Sequence, residues 1–280
     1  MRMKRYETGA AEGSPRVDIG GVDIAYQRWG AGPVVLCLHA IGHGARDFEQ
    51  LAGLVGGQFE IIALDWPGQG RSGQDTESAS AERYSVLLEG FVEALKLGRF
   101  VLYGNSIGGA AAILYADRHP ENVRGLVLSN PGGLAPVDGF ARFAIGRMVA
   151  FFQAGVDQKR WFSPAFKLYY GRVLPRRAAK VQRRRIIDAR FDIAQPLVDA
   201  WRSFATQEAD IRAVAARLKM PVLYAWATKD QIVPLKKSRA AVDTTPDHEL
   251  VTFRAGHMPA LETPKLFAKA LRRFLSKLSD

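Results

Sequence analysis

The sequence predicts an α/β fold: a mostly parallel, eight-stranded sheet with helices on both faces and a helical lid inserted late in the chain. Three observations carry that expectation. Short β-rich apolar runs alternate with helical patterns from residue 16 to 130, the order that builds parallel strands joined by crossover helices. The alternation stops over 134–215, where helical patterns follow one another, and then two further strand-like runs appear. Finally, 280 residues that are 48% hydrophobic can bury roughly three-quarters of the unfolded chain's surface, enough for one large core without cross-links or metals.

Taken in order, residues 1–15 read as a loose tail. Residues 16–19 and 22–29, around Gly20-Gly21, read as a hairpin. The runs 34–39, 59–66, 100–104 and 123–129 are short and apolar enough to be strands buried on both faces. Between them, 81–97 repeats Val86, Leu87, Phe91, Ala94 and Leu95 at a helical period and stops at Gly98. The insertion opens with a face of Phe140, Phe143, Met148, Phe151 and Phe152. Strands at 221–227 and 249–253 follow, and a closing helix over 264–278 directs Leu266, Phe267, Leu271 and Phe274 inward. The core therefore spans 16–133 and 216–280, and the lid 134–215; no internal repeat interrupts either.

Net charge is +11, from 39 Lys and Arg against 28 Asp and Glu. The excess is local, because 134–215 holds 15 basic and 7 acidic residues. No groove-reading motif accompanies the charge, so nucleic acid is not an expected partner. Cys37, within Val34-Val35-Leu36-Cys37-Leu38, reads as a small buried hydrophobe, and a lone cysteine excludes an internal disulfide framework. The basic start lacks the apolar stretch of a secretory signal, and no run of 18 apolar residues occurs, so a cytoplasmic protein is expected.

Chemistry enters at Gly104-Asn105-Ser106-Ile107-Gly108, a G-x-S-x-G nucleophile elbow between an apolar strand and a helix-prone run. A serine hydroxyl is a poor nucleophile at neutral pH and needs a base. Of five histidines, His257 alone follows the last strand and precedes the last helix. His39, at a strand end, reads as a loop-orienting residue; His43, in the next loop, is placed to touch substrate; His119 and His248 read as surface residues. Asp230, beyond the strand ending Ala225-Trp226, is the carboxylate positioned to fix the imidazole tautomer. Asp243 and Asp247 are the alternatives, and Asn130, one strand earlier, carries no charge. The amides of Ile41 and Ile107 are the expected oxyanion donors. Asp65-Trp66-Pro67-Gly68-Gln69-Gly70-Arg71-Ser72 reads as a structural turn at the sheet's carboxyl edge, with Trp66 a candidate pocket residue alongside His43, Asn105, Phe143, Phe151 and Met258.

On these motifs, residues 16–280 resemble the α/β-hydrolase superfamily: the elbow, the Asp-x-Pro-Gly-x-Gly-x-Ser turn, Asp230-Gln231-Ile232-Val233-Pro234 and Gly256-His257 occur together and in that order. The resemblance implies that a serine hydrolase acts through Ser106, His257 and Asp230 with no metal or organic cofactor. Gly104 to Ala110 and Asn130-Pro131-Gly132-Gly133-Leu134 are also similar to the meta-cleavage-product hydrolases, which split carbon–carbon bonds beside a carbonyl. Those relatives have a more glycine-rich oxyanion loop than His39-Ala40-Ile41-Gly42 and a tryptophan where this chain has Met258. Ester hydrolysis is therefore the leading expectation, ahead of carbon–carbon cleavage and of a ligand-binding or accessory role on the same fold. The lid's aromatics form either its own core or an apolar pocket. Its basic cluster, Arg172, Arg176, Arg177, Lys180, Arg183, Arg184 and Arg185, forms either a solvated face or a rim attracting an anionic substrate, an acidic partner or an anionic membrane.

Overall fold

The computed structural model describes residues 13–278. Eight strands form one sheet: β1 (Arg16–Ile19), β2 (Val22–Trp29), β3 (Val34–Leu38), β4 (Glu60–Leu64), β5 (Phe100–Asn105), β6 (Val123–Ser129), β7 (Val222–Ala227) and β8 (His248–Phe253). Their spatial order is β1-β2-β4-β3-β5-β6-β7-β8. The first two contacts are antiparallel, and every pair from β4 to β8 is parallel. Residues 1–12 of the expected tail lie outside the described residues. Ser14 and Pro15 are held against β2: the Ser14 hydroxyl accepts from Gln27 Nε2 at 3.0 Å, and the Pro15 carbonyl accepts from the Tyr26 amide at 3.0 Å.

Helices α1 (Glu49–Val55), α2 (Ala81–Ala94) and α3 (Ile107–Arg118) connect the first strands. The Ser80 hydroxyl caps α2 by accepting from the Arg83 amide at 3.0 Å. Between β6 and β7 come α4 (Gly139–Val156), α5 (Phe162–Val173), α6 (Lys180–Asp188), α7 (Ala194–Ser203) and α8 (Arg212–Ala215). The chain closes with α9 (Leu235–Thr244), α10 (Pro259–Glu262) and α11 (Pro264–Leu275). Two apolar clusters cover the sheet's two faces. One joins alternate strand residues such as Val35, Cys37 and Leu223 to α1, α11 and the helices inserted between β6 and β7; the other joins Leu36, Leu102 and Tyr224 to α2 and α3. Burial raises the Cys37 thiol well above its ordinary pKa, so it packs as a hydrophobe.

Three packing expectations need correction. On α11, Phe267, Leu271 and Phe274 are buried at i, i+4 and i+7, but Leu266 is 62% exposed because it sits about 100° around the helix from Phe267. On α2, Val86 is 43% exposed, and the inward stripe is Tyr84, Leu87, Leu88, Phe91 and Val92. The five apolar residues of α4 do not share one fate. Phe152 is buried and Phe151 packs against Phe162 and Tyr169, whereas Phe140 and Phe143 are each 68% exposed.

Candidate active site

The elbow is built by crowding. A Cβ on Gly104 would stand 2.3 Å from the Gly108 carbonyl oxygen, and one on Gly108 would stand 2.6 Å from the Leu38 oxygen, so only glycine lets β5 turn this tightly into α3 against β3. Ser106 is thereby forced to φ 55°, ψ −118°, a conformation that costs about 1–3 kcal/mol and persists only where the surroundings fix it. They do: the Ser106 amide donates to Ser129 O at 3.0 Å, and its carbonyl accepts from Ala110 and Gly132 at 3.0 and 3.1 Å.

Asp230 and His257 arrive from the carboxyl ends of β7 and β8. His257 Nδ1 donates to Asp230 Oδ2 at 2.7 Å, leaving Nε2 as the lone-pair nitrogen of the neutral ring. Asp230 also accepts Asn130 Nδ2 at 2.5 Å on Oδ2, and the Ile232 and Val233 amides at 2.7 and 3.2 Å on Oδ1. Asn130 in turn accepts the Ala227 amide at 3.0 Å, which locks the end of β7 to β6. Burial opposes charging of His257, but the Asp230 carboxylate, by charge and hydrogen bond, and Glu262, by charge, outweigh it and raise the imidazole pKa.

Ser106 and His257 both line a cavity of about 590 Å3. Its walls are largely apolar, including Ile41, Val137, Phe140, Phe143, Met148, Leu197 and Trp201; His43, Arg147 and Lys237 also line it, and no carboxylate does among the described residues. In the loop after β3, the Gly42 amide donates to Gln69 Oε1 at 2.6 Å and the His43 amide to Ala40 O at 3.2 Å, which leaves the Ile41 amide uncommitted among the described residues. Ile107 is the first residue of α3, so its amide has no intrahelical acceptor. His43 Nδ1 donates to the buried Asp47 carboxylate, beside the Tyr170 ring.

Four expected pocket residues lie elsewhere. Trp66 is buried, stacks on Tyr84 at 4.2 Å and donates its indole N–H to His39 O at 3.0 Å; because the strand end directs it into the core beneath the loop, it does not reach the cavity. Asn105 faces inward from β5 and donates to Ser129 O and His257 O at 2.9 and 3.2 Å, so it braces the elbow against the histidine loop. Met258 is drawn into the core with Leu261 and Phe267, and Phe151 is taken up by its aromatic neighbours on α5. The basic cluster also lies off the cavity: Arg176 Nε donates to Arg254 O at 2.7 Å, Arg183 donates to Leu174 O, and Arg184 pairs with Asp188 at 3.7 Å.

Several supporting residues escape sequence reasoning. Gln69 bridges the Gly42 amide and the Tyr84 hydroxyl, the latter at 2.9 Å. Glu262 accepts the Gly256 and Met258 amides at 2.8 and 3.3 Å, flanking His257; burial raises its carboxyl pKa against the opposing pull of those amides. Glu262 has no sequence signal, because its partners are backbone groups; Gln69 lies within the Asp65–Ser72 turn, but the motif does not announce its bonds to the Gly42 amide and the Tyr84 hydroxyl. Asp65 does match its turn motif: it accepts the Ala45 and Arg71 amides at 2.7 and 3.0 Å. Among the described residues, no three His, Cys, Asp or Glu side chains converge as a metal would require, and no helix is long and apolar enough to cross a membrane.

The chain matches the sequence model of the alpha/beta hydrolase family over residues 35–270 and belongs to that family. It is 23% identical over 288 residues to the 2-hydroxy-6-oxo-6-(2'-aminophenyl)hexa-2,4-dienoic acid hydrolase of Metapseudomonas resinovorans, covering 94% of this chain and 91% of that one. It is 26% identical over 265 residues to a putative carbamate hydrolase, RutD, of Azorhizobium caulinodans, covering 93% and 98%. Among solved structures, a thermophilic esterase from Thermogutta terrifontis superposes with a TM-score of 0.77 at 22% identity, covering 94% of this chain and 98% of that one.

Proposed function

We propose that this chain is a serine hydrolase that cleaves carboxylic esters or thioesters of apolar small molecules, neutral or anionic, through an acyl-enzyme on Ser106. His257 Nε2 takes the Ser106 proton as the hydroxyl attacks the carbonyl carbon, and Asp230 holds the ring in the required tautomer. The Ile41 and Ile107 amides receive the oxyanion. The imidazolium then protonates the departing alkoxide or thiolate. Water, deprotonated by the same imidazole, attacks the acyl group and releases the acid, restoring the Ser106 hydroxyl.

The observation that carries this reading is the His257–Asp230 hydrogen bond beside a cavity that Ser106 and His257 share. Phe140, Phe143, Met148 and Trp201 offer apolar contact to the acyl or alcohol part, and Arg147 and Lys237 suit a negative group. Carbon–carbon hydrolysis is the second reading, favoured by the full-length match to a dienoic acid hydrolase. A panel of acyl-chain and aromatic esters, run with a vinylogous diketo acid on wild type and Ser106→Ala, separates the two. Ester turnover that Ser106→Ala loses supports the first reading; preference for the diketo acid supports the second. If wild type and Ser106→Ala are equally inactive on all substrates, both are wrong and a binding role remains.

A further inference from the structure

Beside the loops that carry Asp230 and His257 lies a second concavity, of about 390 Å3, lined by Pro175, Arg176, Lys229, Arg254 and Ala255. We propose that it is a binding site for a phosphate-type oxyanion, held by Arg176, Lys229 and Arg254. The charge balance points there first. No carboxylate lines the recess, and no ion pair engages any of its three cations among the described residues, whereas Arg83, Arg118, Arg212, Arg217 and Arg239 each sit against an acidic side chain. Glu262, which accepts the Arg176 amide at 3.3 Å, is buried and committed to backbone amides. Three like charges around one recess repel, and an oxyanion of charge about −2 offsets that while accepting several N–H donors at once.

The recess is also built rather than incidental. Arg176 Nε donates to Arg254 O at 2.7 Å, which fixes the guanidinium and leaves its terminal nitrogens for a ligand. The Lys229 amide donates to Ala255 O at 3.0 Å. Three chain segments are thus tied together, by one side-chain-to-backbone and one backbone bond, and each contributes an exposed cationic residue to the lining of one recess.

Its position gives the site a consequence. Lys229 directly precedes Asp230, and Arg254 lies three residues before His257. The His257 amide donates to Val173 O at 2.9 Å, at the end of α5, and a Cβ on Gly256 would stand 2.3 Å from that same oxygen. An oxyanion spanning the recess ties the α5 exit to the loops of both the candidate acid and the candidate base. It does so without entering the cavity, since the two concavities share no lining residue.

Phosphate monoesters and diphosphates fit this chemistry, whether on a soluble metabolite or on a lipid headgroup. Titration calorimetry of the full chain with sodium pyrophosphate, against sodium chloride at matched ionic strength, tests the site without requiring turnover, so its failure is distinct from failure of the esterase reading. Pyrophosphate should bind wild type at least ~10-fold more tightly than the Lys229→Gln/Arg254→Gln variant, with Arg254→Lys intermediate; thermal denaturation verifies that each variant is folded. Vesicles of phosphatidylcholine with phosphatidate provide the second arm. Binding to them that the double variant loses, with no pyrophosphate binding, assigns the headgroup as the source. The site is refuted if the double variant binds both probes as wild type does, or if wild type binds neither.

Discussion

Asp230 accepts four hydrogen bonds, from His257, Asn130 and two backbone amides, whereas Phe140 and Phe143, on the same cavity that His257 lines, are each 68% exposed. The floor of the site is over-determined by backbone geometry, whereas α4, although packed along α7, presents two largely exposed aromatic side chains to the cavity. The two halves of α4 repeat this contrast: Phe151 and Phe152 are enclosed by Phe162, Phe166, Tyr169 and Trp201, while the first two turns face the opening. The difference teaches where each property resides. On the proposed mechanism, proton transfer needs close placement and would fall to the groups at the strand ends. Substrate choice would then fall to the exposed apolar wall.

The strongest way to break this division is to remove its fixed half. Ser106→Ala should lower kcat/KM by about 10^5 to 10^6, with little change in melting temperature beyond the relief of local strain. Asp230→Asn should cost about 10^3 to 10^4 and also shift the pH profile. As the proposed base, His257 would work only as neutral imidazole, and its pKa is raised, so kcat/KM should climb with pH through a value above the ordinary imidazole pKa of about 6.5. Without the carboxylate's charge, that acid limb should move to lower pH; a limb that stays in place means that the titrating group is not His257. The same raised pKa stabilises the fold below the ordinary imidazole value, and this contribution is lost as pH rises through the raised one.

Much of the fixed half is legible in the sequence, because a strand end followed by Gly-Asn-Ser-Ile-Gly or Gly-His states both residue and position. The supports are less so. Gln69 and Asn130 reach the Gly42 amide and Asp230 from distant parts of the chain, and Glu262 holds the amides on either side of His257; the motifs around them do not state these bonds. The helices inserted between β6 and β7 are least legible. Apolar periodicity marks α4 as a helix but cannot say which neighbour covers which turn, so five similar residues divided between core and cavity mouth. Trp66 shows the same limit on one residue, since a turn motif fixes backbone but not the direction of a side chain that stacks on Tyr84.

Smaller effects sharpen the boundary. Gln69→Ala strips the Gly42 amide of its acceptor and loosens the loop that presents Ile41; kcat should fall about 10-fold with KM nearly unchanged, as expected for a loss felt mainly in the transition state. Phe143→Ala should leave stability within about 0.5 kcal/mol, because the side chain is mostly exposed. It should raise KM for long-chain esters by roughly 3- to 10-fold through lost apolar contact. A clear drop in melting temperature would instead place this turn in the core of the inserted helices and erase the contrast between the two halves of α4.

The central claim is that Ser106 is a nucleophile activated by His257. Intact-protein mass spectrometry after treatment with a fluorophosphonate tests it most directly. One adduct per chain is expected, mapped to Ser106, absent from Ser106→Ala and formed far more slowly in His257→Gln. An unlabelled wild-type chain, or an adduct that persists in Ser106→Ala, would contradict it.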